Sequence, residues 1–255
     1  MLLVFLLVAM EILFEHPWFL VVNKPTDLLT QAVAGVDSLQ TELIRYLKER
    51  TPGGANPFIG TPHRLDRVTT GVMVVARNQR ALRRLSEQFA ARIVSKSYHA
   101  IVPDSPIVEE LYHSGATIRW IDHLRKIPEE ARGEICGAEI EGSKEAIMTV
   151  KPHQRVRLSG SDESFRLCEV QLETGRMHQI RLQFASRGMP IVGDQLYGSK
   201  VAWMDGEFRN TPIALHARSL QFRHPQTAEL LSFEAPYPES WNRLRFEGLE
   251  CSQVD

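Results

Sequence analysis

Apolar and polar positions in this chain switch between a period of two and a period near 3.6, and the changeovers mark out its elements. Residues 1–10 form an unbroken apolar run, too short to span a bilayer and without the basic start or small-residue cleavage site of a secretory signal. The run reads as an upstream extension or an added edge strand, with Met10 as the natural start. Residues 12–14 and 18–22 are short β-prone segments separated by the turn signal Glu15-His16-Pro17, and Pro25 stops the second. Asp37-Ser38 can cap a helix that aligns Leu39, Leu43 and Leu47 and closes at Thr51-Pro52-Gly53-Gly54. The run 72–76 is continuously apolar between Gly71 and Asn78, as in a strand buried on both faces. Asn78 then caps a helix with Leu82, Leu85, Phe89 and Ile93 on one face and Arg80, Arg83, Arg84 and Arg92 on the other. A strand follows over 95–102.

Beyond that point the pattern weakens. Residues 103–164 are polar and interrupted by Pro128, Gly133, Gly137, Gly142 and Pro152, which predicts short strands and long loops decorating a sheet. Residues 165–173 read as a strand ended by Thr174-Gly175. The segment 176–187 fits both periods. Met177, Ile180 and Phe184, with Gly188 and Pro190 beyond, favour a helix that would set His178 and Arg181 one turn apart near its N-terminal end. The runs 213–222 and 230–235 bracket His224-Pro225-Gln226-Thr227 as a β-hairpin.

Composition changes this picture only when resolved along the chain. The formal net charge is −1, yet residues 63–99 carry eight Lys and Arg against two acids, while residues 101–150 carry five against ten. A near-neutral chain thus hides a basic block of the kind that attracts polyanions, although a solvated helix face has the same composition. The three cysteines are scattered and form no CxxC pair, which suits a reducing compartment and predicts neither a disulfide framework nor a zinc site.

The densest chemistry precedes the buried strand. His63, Arg64, Asp66 and Arg67 fall within five positions and feed straight into it, so their side chains stand at the rim of a rigid sheet. A surface loop whose Asp66 merely pairs with a neighbouring arginine has the same pattern. The sequence lacks a P-loop, a GxGxxG, an HExxH and a GxSxG elbow. What remains is one aspartate among arginines, a tyrosine on the next strand, and a second basic cluster from Arg176 to Arg181; Asp194 is the only other loop carboxylate of similar character. A carboxylate flanked by guanidiniums stays ionised, and an ionised carboxylate can act as nucleophile or general base without a cofactor.

His63-Arg64-Leu65-Asp66-Arg67 with Thr69-Thr70-Gly71 resembles the HRLDxxTSG signature of the RluA-type RNA pseudouridine synthases. The likeness continues in order. It takes in Val22-Asn23-Lys24-Pro25, Gln88-Phe89 through Arg92 to Lys96 and Tyr98, and Thr174-Gly175-Arg176-Met177-His178-Gln179-Ile180-Arg181. It then includes Gly188-Met189-Pro190-Ile191-Val192-Gly193-Asp194 with Tyr197-Gly198, and Leu215-His216-Ala217 to Glu229. Val68 stands where the family often has Asp, and Thr70 where it has Ser.

The resemblance implies an α+β fold, with a single catalytic domain over residues 10–250 built on a mostly antiparallel, bent central sheet with flanking helices. Residues 1–9 would be an extension and 251–255 a tail. It also implies conversion of uridine to pseudouridine in rRNA or tRNA with no metal or cofactor, by a cytoplasmic monomer that needs no protein partner or membrane. Carried over by position, Asp66 is the catalytic carboxylate, Tyr98 stacks on the uracil and assists proton removal from C5, and Arg181 pairs with Asp66. Ile180 packs against the base, and Arg64 fills the space of the flipped uridine. Lys24, Arg67, Arg176, His178 and Gln179 are expected RNA contacts. The competing expectation is a non-catalytic RNA-binding or RNA-folding factor on the same fold. The intact Asp66, Tyr98 and Arg181 argue against it, because holding RNA does not require all three.

Overall fold

The computed structural model describes residues 10–33, 35–50, 56–161, 163–203 and 211–247. The expectations for residues 1–9, for the helix stop at 51–54 and for the tail 251–255 lie outside them. Along the chain the elements are β1 (Glu11–Glu15), β2 (Phe19–Lys24), α1 (Leu39–Arg50), β3 (Thr70–Ala76), α2 (Gln79–Ala90), β4 (Ser95–Pro103), α3 (Pro106–Ser114) and β5 (Ile118–Lys126). Then come β6 (Gly133–Cys136), β7 (Lys144–Leu158), β8 (Ser164–Leu172), α4 (Gln179–Ala185), β9 (Leu215–Arg223), β10 (Leu230–Glu234) and β11 (Leu244–Phe246). The fold is α+β with mostly antiparallel strand pairing, as the resemblance implied. The chain divides into two compact units, Met1–Val94 with Ser219–Pro236, and Ser95–Arg218 with Tyr237–Asp255.

In the first unit β2 lies between β1 and β3. Phe19 to Val22 are wholly inaccessible, and every residue of β3 is buried, which is why the run 72–76 shows no alternation. Each such aliphatic side chain contributes roughly 1.5–3 kcal/mol of burial, so β3 is a rigid base for whatever precedes it. At its start Gly71 has a φ of 121°, a conformation that L side chains rarely adopt. Helix α1 buries Leu39, Leu43 and Leu47, as their spacing required. Helix α2 is capped by Asn78, whose side chain accepts the Ala81 N–H at 2.8 Å. The helix ends at Ala90, so Ile93 lies beyond it and is 57% exposed, contrary to the expected apolar face. Arg92 there turns left-handed, with a φ of 58°. The β9–β10 hairpin joins this unit through Phe222 and Phe233, which meet Phe14 and Phe19.

The second unit orders its strands β4-β8-β7-β5-β6, with β11 on β7. Here the sequence expectation for the middle segment fails. The 15-residue β7 is no decoration, since it pairs with both β8 and β5. Pro152 had argued against a long strand, but the register shifts between Pro152 and Arg155, and this bulge absorbs the missing donor. Several acids of this segment, Asp104, Glu109, Asp122, Glu130 and Glu134, are matched by arginines. Arg166, 1% exposed, binds Asp104 and Glu109, and Arg155 binds the same two carboxylates.

Candidate active site

The loop carrying Asp66 leaves the chain at Gly60, which pairs with Ala76, and returns at Thr70 into β3. Between these points it has no strand neighbour, so side chains supply its bonds. Most come from the irregular strap that follows β2, residues 25–31. The Thr30 hydroxyl donates to Leu65 O at 2.9 Å and accepts the Leu65 N–H at 3.2 Å. Thr26 Oγ1 donates to Val68 O at 3.4 Å, and Gln31 Nε2 to Thr61 Oγ1 at 3.1 Å. On the other flank His63 Nε2 accepts the Val74 N–H at 3.1 Å, which makes Nδ1 the protonated nitrogen, and its ring stacks on Phe89 at 4.4 Å. The loop closes on itself where Thr69 N–H meets Asp66 O at 3.1 Å. Asp66 is therefore half-buried on a loop held from both sides, while Arg64 is exposed to solvent.

Lys24 departs from its expected role. It is fully buried, and its Nζ donates to Pro25 O and Leu28 O at 2.8 Å and to Arg67 O at 3.2 Å. It ties the strap to the Asp66 loop from inside and has no surface to offer a phosphate. Burial pulls its pKa down to about 7; the Asp66 and Asp27 carboxylates oppose this and Arg67 adds to it. Arg67 is itself engaged, its Nε donating to Asp27 at 2.7 Å in an exposed ion pair. Asp27 adopts a φ of 58° to make this turn.

In the second unit Tyr98 lies on β4 opposite Val170, 8% exposed. Helix α4 starts at Gln179, later than the sequence periodicity suggested. His178 is its cap residue with a φ of 52°, so His178 and Arg181 do not share a helical face. His178 Nδ1 lies 2.7 Å from the Tyr197 hydroxyl, which also accepts the Gly133 N–H at 3.1 Å. Gln179 is 3% exposed and completely committed. Its Oε1 accepts from Thr174 Oγ1 and Arg176 N, and its Nε2 donates to Ile147 O and Gln183 Oε1. Like Lys24 it is an internal brace, so the expected RNA contact gives way to a structural one. Arg176 donates from Nε to Glu145 O.

Ile180 and Arg181 are 4% and 5% exposed. Arg181 makes a bidentate pair with Asp194 at 2.7 and 2.8 Å, and its guanidinium lies over the Tyr197 ring at 5.0 Å. Asp194 can sit there because Gly193 precedes it in a left-handed conformation. A Cβ at Gly193 would come within 2.6 Å of Trp203 Cβ and 2.7 Å of Pro212 O. Leu182 anchors the helix against Leu124 and Ala146. The sequence reading missed Thr30 altogether, and it named Asp194 and Tyr197 without their pairing to Arg181 and His178. Only the turn-rich run around Asp194 carried a signal, and it named no partner.

Among the described residues no helix is long and apolar enough to cross a membrane. Residues 18–186 match the family model described as RNA pseudouridylate synthase. The ribosomal large subunit pseudouridine synthase D of Xanthomonas campestris pv. campestris is 35% identical over 246 residues, covering 93% of this chain and 69% of the relative. The tRNA pseudouridine synthase C of Vibrio parahaemolyticus is 31% identical over 250 residues, covering 94% of this chain and 96% of the relative. Among solved structures, human RNA pseudouridylate synthase domain containing 1 superposes with a TM-score of 0.67 at 25% identity, covering 90% of this chain and 84% of that one. With the ordered motifs mapped onto a braced aspartate loop and a buried arginine helix, the chain belongs to the RNA pseudouridylate synthase family, as an RNA pseudouridine synthase of the RluA type.

Proposed function

We propose that this enzyme isomerises specific uridines of a structured rRNA or tRNA, with Asp66 as the catalytic carboxylate. The observation that carries the assignment is the build of the Asp66 loop. Its main chain is held by Lys24, Thr26 and Thr30, and its own His63 side chain ties it to the Val74 N–H of β3, which restrains the carboxylate in a loop that has no strand neighbour. In the reaction the C1′–N1 bond breaks, the uracil turns, and C5 bonds to C1′. C5 gives up a proton and N1 takes one, so no co-reactant is consumed. The reading gives Tyr98 the roles of stacking on the uracil and assisting proton removal from C5. It gives Ile180 the packing against the base and Arg181 the pairing with Asp66, its guanidinium also being held by Asp194. Arg64 fills the space of the extruded nucleotide, in keeping with its exposure. Arg67, Arg176 and His178 are left as the RNA contacts.

The catalytic domain is taken as residues 10–250, acting as a monomer in the cytoplasm, where the thiols of Cys136 and Cys168 would stay reduced. The test uses rRNA and tRNA fractions labelled with tritium at uridine C5, and reads tritium released to water. Wild type is expected to release it from at least one fraction, and Asp66→Asn from none while melting at the wild-type temperature. Release by Asp66→Asn equal to wild type, or none by wild type on any fraction, overturns the reading.

A further inference from the structure

We propose that Thr30 is a positioning residue for the catalytic carboxylate, setting turnover through the peptide plane from which Asp66 springs. The inference rests on the assignment of Asp66 above and adds a residue outside the motifs that suggested it. Leu65 C=O and Asp66 N–H belong to one planar peptide unit, so a bond to that oxygen fixes the plane on the N-terminal side of Asp66. Thr30 provides that bond at 2.9 Å and also accepts the N–H of the same residue at 3.2 Å. One hydroxyl thus does for Leu65 what a neighbouring strand would do, using its donor and an acceptor lone pair together. Both residues are 5% exposed, so water does not compete for these groups. On the far side of Asp66 the loop's own turn holds the plane, through Thr69 N–H. Thr30 is therefore a brace from outside the loop on the peptide unit next to Asp66, and the flanking bonds of Thr26 and Lys24 act two residues and one residue beyond it.

Replacement of Thr30 by the near-isosteric valine keeps the volume and deletes both bonds. The carboxylate can then swing, and a misplacement of this kind lowers turnover by about ten- to a hundredfold. Substrate affinity should change by less than about twofold, because Thr30 is interior and touches no RNA.

The experiment measures kcat and KM on a large-subunit rRNA transcript and a tRNA transcript labelled with tritium at uridine C5, for wild type, Thr30→Val, Thr30→Ser and Asp66→Asn. Hydrogen exchange of the Leu65 amide is followed alongside. Expected are a fall in kcat at unchanged KM and faster Leu65 exchange for Thr30→Val, with both restored by Thr30→Ser, which keeps the hydroxyl. If Thr30→Val does not fold, Thr30→Cys replaces it, since its weaker donor and acceptor should leave turnover below that of Thr30→Ser. Wild-type kcat in Thr30→Val or Thr30→Cys, or an equal loss in Thr30→Ser, overturns the inference while an inactive Asp66→Asn leaves the assignment of Asp66 standing. An active Asp66→Asn overturns both.

Discussion

Burial of Lys24 makes the stability of this protein depend on pH in a direction opposite to that of a surface lysine. Its pKa falls from 10.5 in a free lysine to about 7 in the fold, because burial disfavours the ammonium more than Asp66 and Asp27 favour it. Between those two values the unfolded chain binds the proton and the folded chain has released it. Stability therefore rises with pH across that interval, by about 1.4 kcal/mol per unit and by about 5 kcal/mol if the whole interval is traversed. From pH 7, where the folded lysine is still half protonated, to pH 9 the gain attributable to this one side chain is about 2 kcal/mol. The replacement Lys24→Met removes the titration while keeping an unbranched apolar stem. It also removes the donors to Pro25 O, Leu28 O and Arg67 O, so its absolute stability falls, and the informative quantity is the difference in slope. Urea unfolding of both proteins at half-unit steps from pH 6 to 9 reads it. Wild type should gain on Lys24→Met by about 2 kcal/mol between pH 7 and 9. A difference that stays flat within about 0.5 kcal/mol would show that the three carbonyls and two carboxylates keep the ammonium charged, and would refute the reasoning. The same titration bears on the site. An ammonium has three protons for three carbonyls and an amine only two, so the 3.2 Å bond to Arg67 O on the Asp66 loop is the first to go as pH rises.

Two further outcomes follow from buried charge. Asp194→Asn removes half of a bidentate ion pair whose side chains are 6% and 1% exposed, and should lower unfolding free energy by on the order of 3 kcal/mol and depress turnover through Arg181; a loss below about 1 kcal/mol by urea titration would show that the pair is not a brace. His99 is held at a pKa of about 4, by burial first, with His153 and Arg218 adding to the effect and Glu169 opposing it. The unfolded histidine binds its proton below pH 6.5, so stability should fall between pH 6.5 and 4 by up to about 3 kcal/mol, and His99→Gln should flatten that acid limb in the same titration.

The elements that this sequence declares by itself are those whose partners do not matter. β3 is apolar along its whole length whatever lies beside it, and it is buried at every position. The leucine spacing of α1 and the Asn78 cap of α2 are local, and both elements form as read. The HRLD run was legible as a site because four polar residues before a buried strand have nowhere to go but its rim. The failures share one cause. A proline in a strand is a local prohibition, and only the bulge against β8 shows how β7 passes Pro152. Lys24 and Gln179 carry polar heads that a linear pattern assigns to the surface, and only the closing of main-chain carbonyls and amide partners around them makes an interior place tolerable. Thr30 meets Leu65 across 35 positions and Arg181 meets Asp194 across 13, distances over which a chain has no periodicity to reveal a pair. The sequence alone thus singled out the residue to which the chemistry is assigned and the strand that supports it. The tertiary structure decided what holds that residue still, because a hydrogen bond depends on where two groups come to rest and not on how far apart they are written.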